Sequence, residues 1–176
     1  MGKKVLKIAA WGLAALVALV LCILAYGAML PPEHTFTRSV QLAQPPDAVY
    51  QVLADFSKHA SWRPDVGRFE PSGQKDGKDT WLYVDAQGIA MRMTVETDVP
   101  PRHLVLHYVD DEGIADLTWD IGVGKIEGGS IVLVKEHGKI PGALFRAMNK
   151  LLCGTRYVDG LLLNLAKKFG QEAVIM

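Results

Sequence analysis

Three patterns of hydrophobic and polar positions follow one another along the chain. From Ile8 to Leu30 (IAAWGLAALVALVLCILAYGAML) 23 residues pass without a charge; at about 1.5 Å per residue, a helix of that length exceeds a hydrocarbon core of about 30 Å. From His34 the pattern changes to period-2 alternation, interrupted by one helical stretch. Pro45-Pro46-Asp47 opens that stretch, and Val49, Val52, Leu53 and Phe56 recur at helical spacing across DAVYQVLADF. A turn-rich link, KHASWRPDVGRFE, follows. Alternating runs are then predicted near 67–71, 79–85, 89–98, 103–109, 114–123 and 130–139. They are separated by turn signals at Lys75-Asp76-Gly77-Lys78, Gln87-Gly88, Pro100-Pro101, Asp110–Gly113 and Glu127-Gly128-Gly129. From Pro141 to Gln171, Leu144, Met148, Leu151, Leu152, Val158, Leu162, Leu165 and Phe169 lie at three- and four-residue steps. These predict one long amphipathic helix, with a kink or close approach at Gly154 or Gly160.

Strand, short helix, a run of antiparallel strands and a long helix make an α+β domain. A sheet with one apolar face needs a cover. The terminal helix is the only element long enough to cover about seven strands, and a curved sheet around a helix commonly leaves a ligand cavity between them.

The chain accordingly divides into a basic flank (1–7), a transmembrane helix (8–30) and a soluble domain (31–176). Trp11 and Tyr26 stand near the two ends of the apolar run, and Pro31-Pro32 stops it. Lys3, Lys4 and Lys7 precede it, whereas Arg38 is the one basic residue in the twenty that follow. That asymmetry predicts a single-pass protein of the cell membrane, N-terminus cytoplasmic and domain extracytoplasmic. The competing reading is a cleaved export signal with Ala25-Tyr26-Gly27 as its site; the apolar core is longer than such signals use. Leu6 breaks a myristoylation pattern, and Leu19-Val20-Leu21 before Cys22 lacks the small residues of a lipoprotein site.

Formal net charge is zero, but without the three leading lysines 16 basic residues face 19 acidic ones. Such a domain lacks the positive face that nucleic acid requires. Cys22 and Cys153 fall in separate elements, so no disulfide is expected.

Two blocks resemble a known family: VQLAQPPDAVYQVLADFSKHASWRPDV at the start of the domain and GGSIVLVKEHGKIPGALFRAMNKLLCGTRYVDGLLLNLAKKFGQ at its end. Over about 35–170 the chain resembles the START-like, helix-grip superfamily of polyketide cyclase/dehydrase and lipid-transfer-related proteins. Glu136, Gly138, Ile140, Phe145 and Arg146 match the relatives' Glu-x-Gly-x-Ile and Phe-Arg pattern, while Pro141-Gly142-Ala143 stands where an Asn-Pro turn is usual. The resemblance implies a helix-grip fold: a curved antiparallel sheet of about seven strands wrapped around a long C-terminal helix. It also implies a lipid or other hydrophobic small molecule as partner, with no cofactor. It is weak for activity, because one fold serves binders and enzymes alike, and a cavity filled by side chains would make the domain a non-catalytic interaction module instead.

With the apolar strand faces turned inward, Met91, Met93, Leu106, Tyr108, Trp119 and Val134 line the interior. Phe145, Met148 and Leu152 would close it from the helix. Methionine adapts to irregular shapes, and phenol and indole offer single polar handles, so these side chains suit a hydrophobic ligand; plain core is the alternative. Trp62-Arg63 would flank the opening or simply form a surface turn. Glu136 is the anomaly, because alternation from Val132 and Val134 places a carboxylate on the apolar face, where it needs a partner or a proton. It is read either as a cavity acid or as a structural pair with Arg146 or with Arg92. In an enzyme of the cyclase kind, Glu136, Tyr108 or Arg92 would move protons. His103 and His107 are four apart, which on a strand is about 13 Å and too far to chelate one ion, so no metal site is predicted. No nucleophile elbow or phosphate loop is present. The sequence leaves ligand identity, protein partners and oligomeric state open.

Overall fold

Gly2–Met29 form α1 in a computed structural model that describes residues 2–176; Met1, the first residue of the basic flank, lies outside them. α1 is long and apolar enough to cross a membrane and stands clear of the domain over nearly its whole length. Its last turn is the exception. Gly27 is buried there, and a Cβ at that position would overlap the carbonyl of Ala143, so glycine permits the contact.

Seven strands follow: β1 (Glu33–Leu42), β2 (Val66–Lys75), β3 (Lys78–Asp85), β4 (Ala90–Val99), β5 (His103–Val109), β6 (Asp116–Ile126) and β7 (Gly129–Lys139). They form one antiparallel sheet in the order β1-β7-β6-β5-β4-β3-β2. β2 to β7 is a meander, and β1 joins it beside β7. The turns are set by residues that tolerate positive φ: Asp76 and Gly77 both adopt it between β2 and β3, as a two-residue hairpin requires. Register breaks between Val66 and Arg68, between Pro71 and Gly73, and between Val95 and Thr97 add the local bends that curl the sheet.

Between β1 and β2 lie α2 (Pro46–Ala54), where the sequence predicts a helix, a 3-10 turn (Phe56–Lys58), and a one-turn helix α3 (His59–Trp62) inside the stretch read as a link. α2 buries Val49, Tyr50 and Leu53. The Tyr50 hydroxyl donates to Asp98 and also bonds the His103 carbonyl at 3.1 Å, pinning α2 to the β4–β5 connection.

The single helix expected from Pro141 to Gln171 is corrected to three pieces: α4 (Ala143–Met148), a π-helical turn (Asn149–Cys153) and α5 (Arg156–Lys168). The break falls at Gly154, whose φ of 49° is a left-handed conformation that glycine adopts without strain; Gly160 sits undisturbed inside α5. Of these three pieces only α5 packs on the sheet, beside α2, burying Val158, Leu161, Leu162, Leu165 and Ala166. α4 leans instead on the end of α1. Beyond α5, Met176 exchanges two backbone hydrogen bonds with Ser39, 2.9 and 3.0 Å, and so covers part of the free edge of β1.

Candidate functional site

The inward face of the sheet carries the predicted lining. Directly opposed residues share a face, and the register sets Trp119 opposite Glu136 and Leu106, Met93 opposite Tyr108, and Val134 opposite Ile121. Met93 and Val134 are 0% exposed, so no space large enough for water borders either of them. Leu106, Tyr108 and Trp119 are buried and Met91 is half-buried. Aromatic rings run across this face: Trp119 to Tyr108 at 5.1 Å, Tyr108 to Tyr83 at 5.8 Å, and Tyr83 to Phe69 at 5.3 Å between ring centroids.

Polar groups occupy both ends of that row. At the end nearest α1, Glu136 is buried, and its partners are neither Arg146 nor Arg92. The Trp119 indole N–H donates to Oε2 at 2.7 Å, and His34 Nε2 lies 2.9 Å from Oε1. β1 and β6 flank β7, so the neighbouring strands deliver both partners; the sequence distance of 102 residues between His34 and Glu136 conceals the pairing. Arg92 lies on the exposed face and pairs with Asp111 at 2.9 Å, which removes it from any interior chemistry. Arg146 donates to the carbonyls of Gly27, Pro141 and Ile140 at 2.8, 2.6 and 3.3 Å, tying α4 to the end of α1.

Gly138 makes the His34 position possible, because a Cβ there would overlap the imidazole. Gly138→Val should expel the ring from Glu136 and lower stability by about 1–3 kcal/mol. At Gly122 a Cβ would meet nothing within 4 Å, so Gly122→Val should stay within about 0.5 kcal/mol of the parent in the same chemical denaturation experiment.

At the other end Arg63 is buried, with its side chain 1% exposed, rather than standing at an opening. Its guanidinium donates to Asp65 through Nη2 at 2.6 Å and Nε at 3.4 Å, and Asn164 of α5 donates to the same carboxylate at 3.3 Å. Tyr157 of α5 donates to Asp85 at 3.4 Å. Burial pushes the Tyr83 and Tyr108 phenols well above their ordinary range, against a smaller opposing pull from Arg63. Tyr108 therefore keeps its proton and offers a hydrogen bond, not a base. His59 is buried among Phe56, Trp62 and Phe69. Its Nε2–H donates to the Leu53 carbonyl at 3.0 Å, while Nδ1 has no side-chain hydrogen-bond partner among the described residues. Burial and the nearby Arg63 charge lower its pKa to about 4.

Trp62 is half-buried, edge-on to His59 at 5.0 Å, and borders a surface recess of about 290 Å³ together with Val52 and Lys168. A second recess, of about 130 Å³, lies at the end of α1 between Leu30, Pro32, His34, Ile140 and Lys150, directly outside the His34–Glu136 pair. Phe145, Met148 and Leu152, expected to close the interior, are exposed: the break at Gly154 turns them away from the sheet. His103 and His107 point outward to Asp120 and Asp116 at 2.8 and 2.7 Å.

The site is thus an apolar and aromatic interior with a carboxylate–imidazole–indole group at one end and a guanidinium–carboxylate group at the other. Solved structures share its frame. StfQ, the di-domain ARO/CYC of the steffimycin biosynthetic pathway, superposes with a TM-score of 0.61 at 14% identity, over 78% of this chain and 52% of its own. The Zhui aromatase/cyclase of Streptomyces sp. R1128 gives 0.61 at 19% identity, over 77% of this chain and 93% of its own. Norcoclaurine synthase of Thalictrum flavum gives 0.60 at 11% identity, over 77% and 93%. This chain spans about half the length of StfQ, and at these identities the likeness is one of fold. Comparison with curated protein sequences gives no match. The family model described as polyketide cyclase / dehydrase and lipid transport matches residues 33–170, all seven strands and α2 to α5 included, and the chain belongs to that family.

Proposed function

We propose that this protein is a membrane-tethered binder of a lipid or another hydrophobic small molecule, which it takes up between the sheet and the terminal helices from the anchor side. The observation that carries the reading is the broken terminal helix. Because α4 and the π turn lean on α1 and not on the sheet, the closure at that end consists of a short segment hinged at Gly154. Immediately inside it lie His34, Glu136 and Trp119, ready to meet a ligand's polar group, and beyond them the apolar face. The interior is filled as it stands, so uptake requires the segment to move. The recess beside His34 is where an opening would start. Burying ligand surface stabilises by about 25 cal/mol per Å², which favours long apolar chains. The anchor, with its lysines on the cytoplasmic side, would hold this end against the bilayer from which such chains come.

Photo-crosslinking tests the reading. The full chain in vesicles containing a diazirine-tailed phospholipid should give adducts on interior residues such as Leu106 and Trp119. Adducts confined to α1 would sink it. Under the cyclase-type alternative Glu136 moves protons and Glu136→Gln abolishes turnover, whereas under the binder reading that variant keeps its interior crosslinks.

A further inference from the structure

We infer that the segment from Ala143 to Arg156 lies in the lipid–water interface as a second membrane contact, so that the domain sits on the bilayer in a fixed orientation. The inference rests on the spanning role proposed for α1. Counted from Ile8, the first residue after the basic flank, about 20 residues at about 1.5 Å each traverse a core of about 30 Å. The far boundary of the hydrocarbon therefore falls at Gly27. That is the residue buried against Ala143 and bonded through its carbonyl to Arg146. Whatever the tilt of the domain, α4 is held at the depth where α1 leaves the bilayer.

The composition of the segment suits that depth. Leu144, Phe145, Met148, Leu151 and Leu152 are all exposed, Leu151 and Leu152 by 63% and 68%. In water this is a costly concentration of apolar surface on the nine residues from Leu144 to Leu152, in a domain whose remaining large apolar side chains are mostly buried. Arg146, Lys150 and Arg156 are interspersed with them, and no acidic residue lies between Ala143 and Arg156. Apolar side chains with basic neighbours, at headgroup level, match an interfacial element on an anionic bilayer. The contact places the mouth proposed above against the lipid and leaves the β6–β7 turn, at the far end of an eleven-residue strand, pointing away.

The test uses the full chain in phosphatidylcholine–phosphatidylglycerol vesicles, with Cys22→Ala and Cys153→Ala removing the native thiols. An environment-sensitive fluorophore is attached to a single new cysteine, Leu151→Cys, Ala18→Cys or Glu127→Cys. Nitroxide lipids with the spin at a shallow acyl position should quench the Leu151 label by about half or more and leave the Glu127 label unaffected. Deep nitroxides should quench the Ala18 label. If the Ala18 label is quenched while the Leu151 label behaves like that on Glu127, this inference fails and the tether stands. If the Leu151 label is shielded from both nitroxide lipid and aqueous iodide, a protein surface covers the patch and the inference also fails. An unquenched Ala18 label overturns the spanning role itself, and this inference with it.

Discussion

Acidification from pH 7 to pH 4 should cost the domain about 3 kcal/mol through His59 alone. The imidazole titrates near 6.5 in the unfolded chain and at about 4 in the fold. Between those values the unfolded state takes up a proton that the folded state refuses. The contribution of His59 is therefore fully present above pH 6.5, declines through the window, and is exhausted below pH 4. The cause is local: Phe56, Phe69 and Trp62 surround the ring and desolvate it, Arg63 adds a like charge to any imidazolium, and the hydrogen bond to the Leu53 carbonyl offsets this only in part. His59→Gln keeps a donor for the Leu53 carbonyl and removes the titration. Denaturation midpoints of parent and variant should converge as pH falls, because carboxylates that protonate in both chains cancel in the difference. Parallel pH profiles would show that His59 is not held neutral by the fold.

Most strands were legible because they present one face to the interior; β2, with only Val66 and Phe69 buried, was read short, as 67–71. On β7, Val132, Val134 and Glu136 alternate with exposed Leu133, Lys135 and His137, and Asp76-Gly77 announces its own turn geometry. The burial of Glu136 was legible for the same reason. Its partners were not: His34 and Trp119 meet it through strand order, and periodicity within a strand carries no information about which strands become neighbours. The terminal helix shows the opposite failure. Its apolar stripe is continuous in sequence, but two surfaces share it, the sheet taking Val158 to Leu165 and the exposed face taking Leu144 to Leu152. Gly154 was the local sign of that division; which way the first half turns depends on Gly27, 127 residues earlier. Arg63 was legible as a residue of interest only. A guanidinium next to Pro64 in a polar link gives no sequence signal of burial, since the aspartate that permits it, two residues on, resembles an ordinary turn residue.

Replacement of that guanidinium should produce the second large effect. Arg63→Ala is expected to destabilise the domain by about 3 kcal/mol at pH 7, through the emptied volume and the loss of Asp65's cation. The figure is at the low end for a buried pair because the Asp65 side chain remains 27% exposed and keeps Asn164, so its carboxylate is not stranded. Arg63→Met keeps the apolar stem and should recover part of the loss. A midpoint for Arg63→Ala within about 1 kcal/mol of the parent would mean that the guanidinium is dispensable to the fold. Arg63→Met also makes a sharper prediction. Without the cation, His59 is opposed by burial alone, so its folded pKa rises toward 6.5 and the acid window narrows. The variant should lose less stability than the parent between pH 7 and pH 4, and adding His59→Gln should change its pH profile less than it changes the parent's. Equal changes in both backgrounds would mean that Arg63 and His59 are uncoupled. Coupling would mean that the Arg63 charge reaches the aromatic end of the interior, where an incoming ligand would have to displace rings held between a neutral imidazole and two protonated phenols.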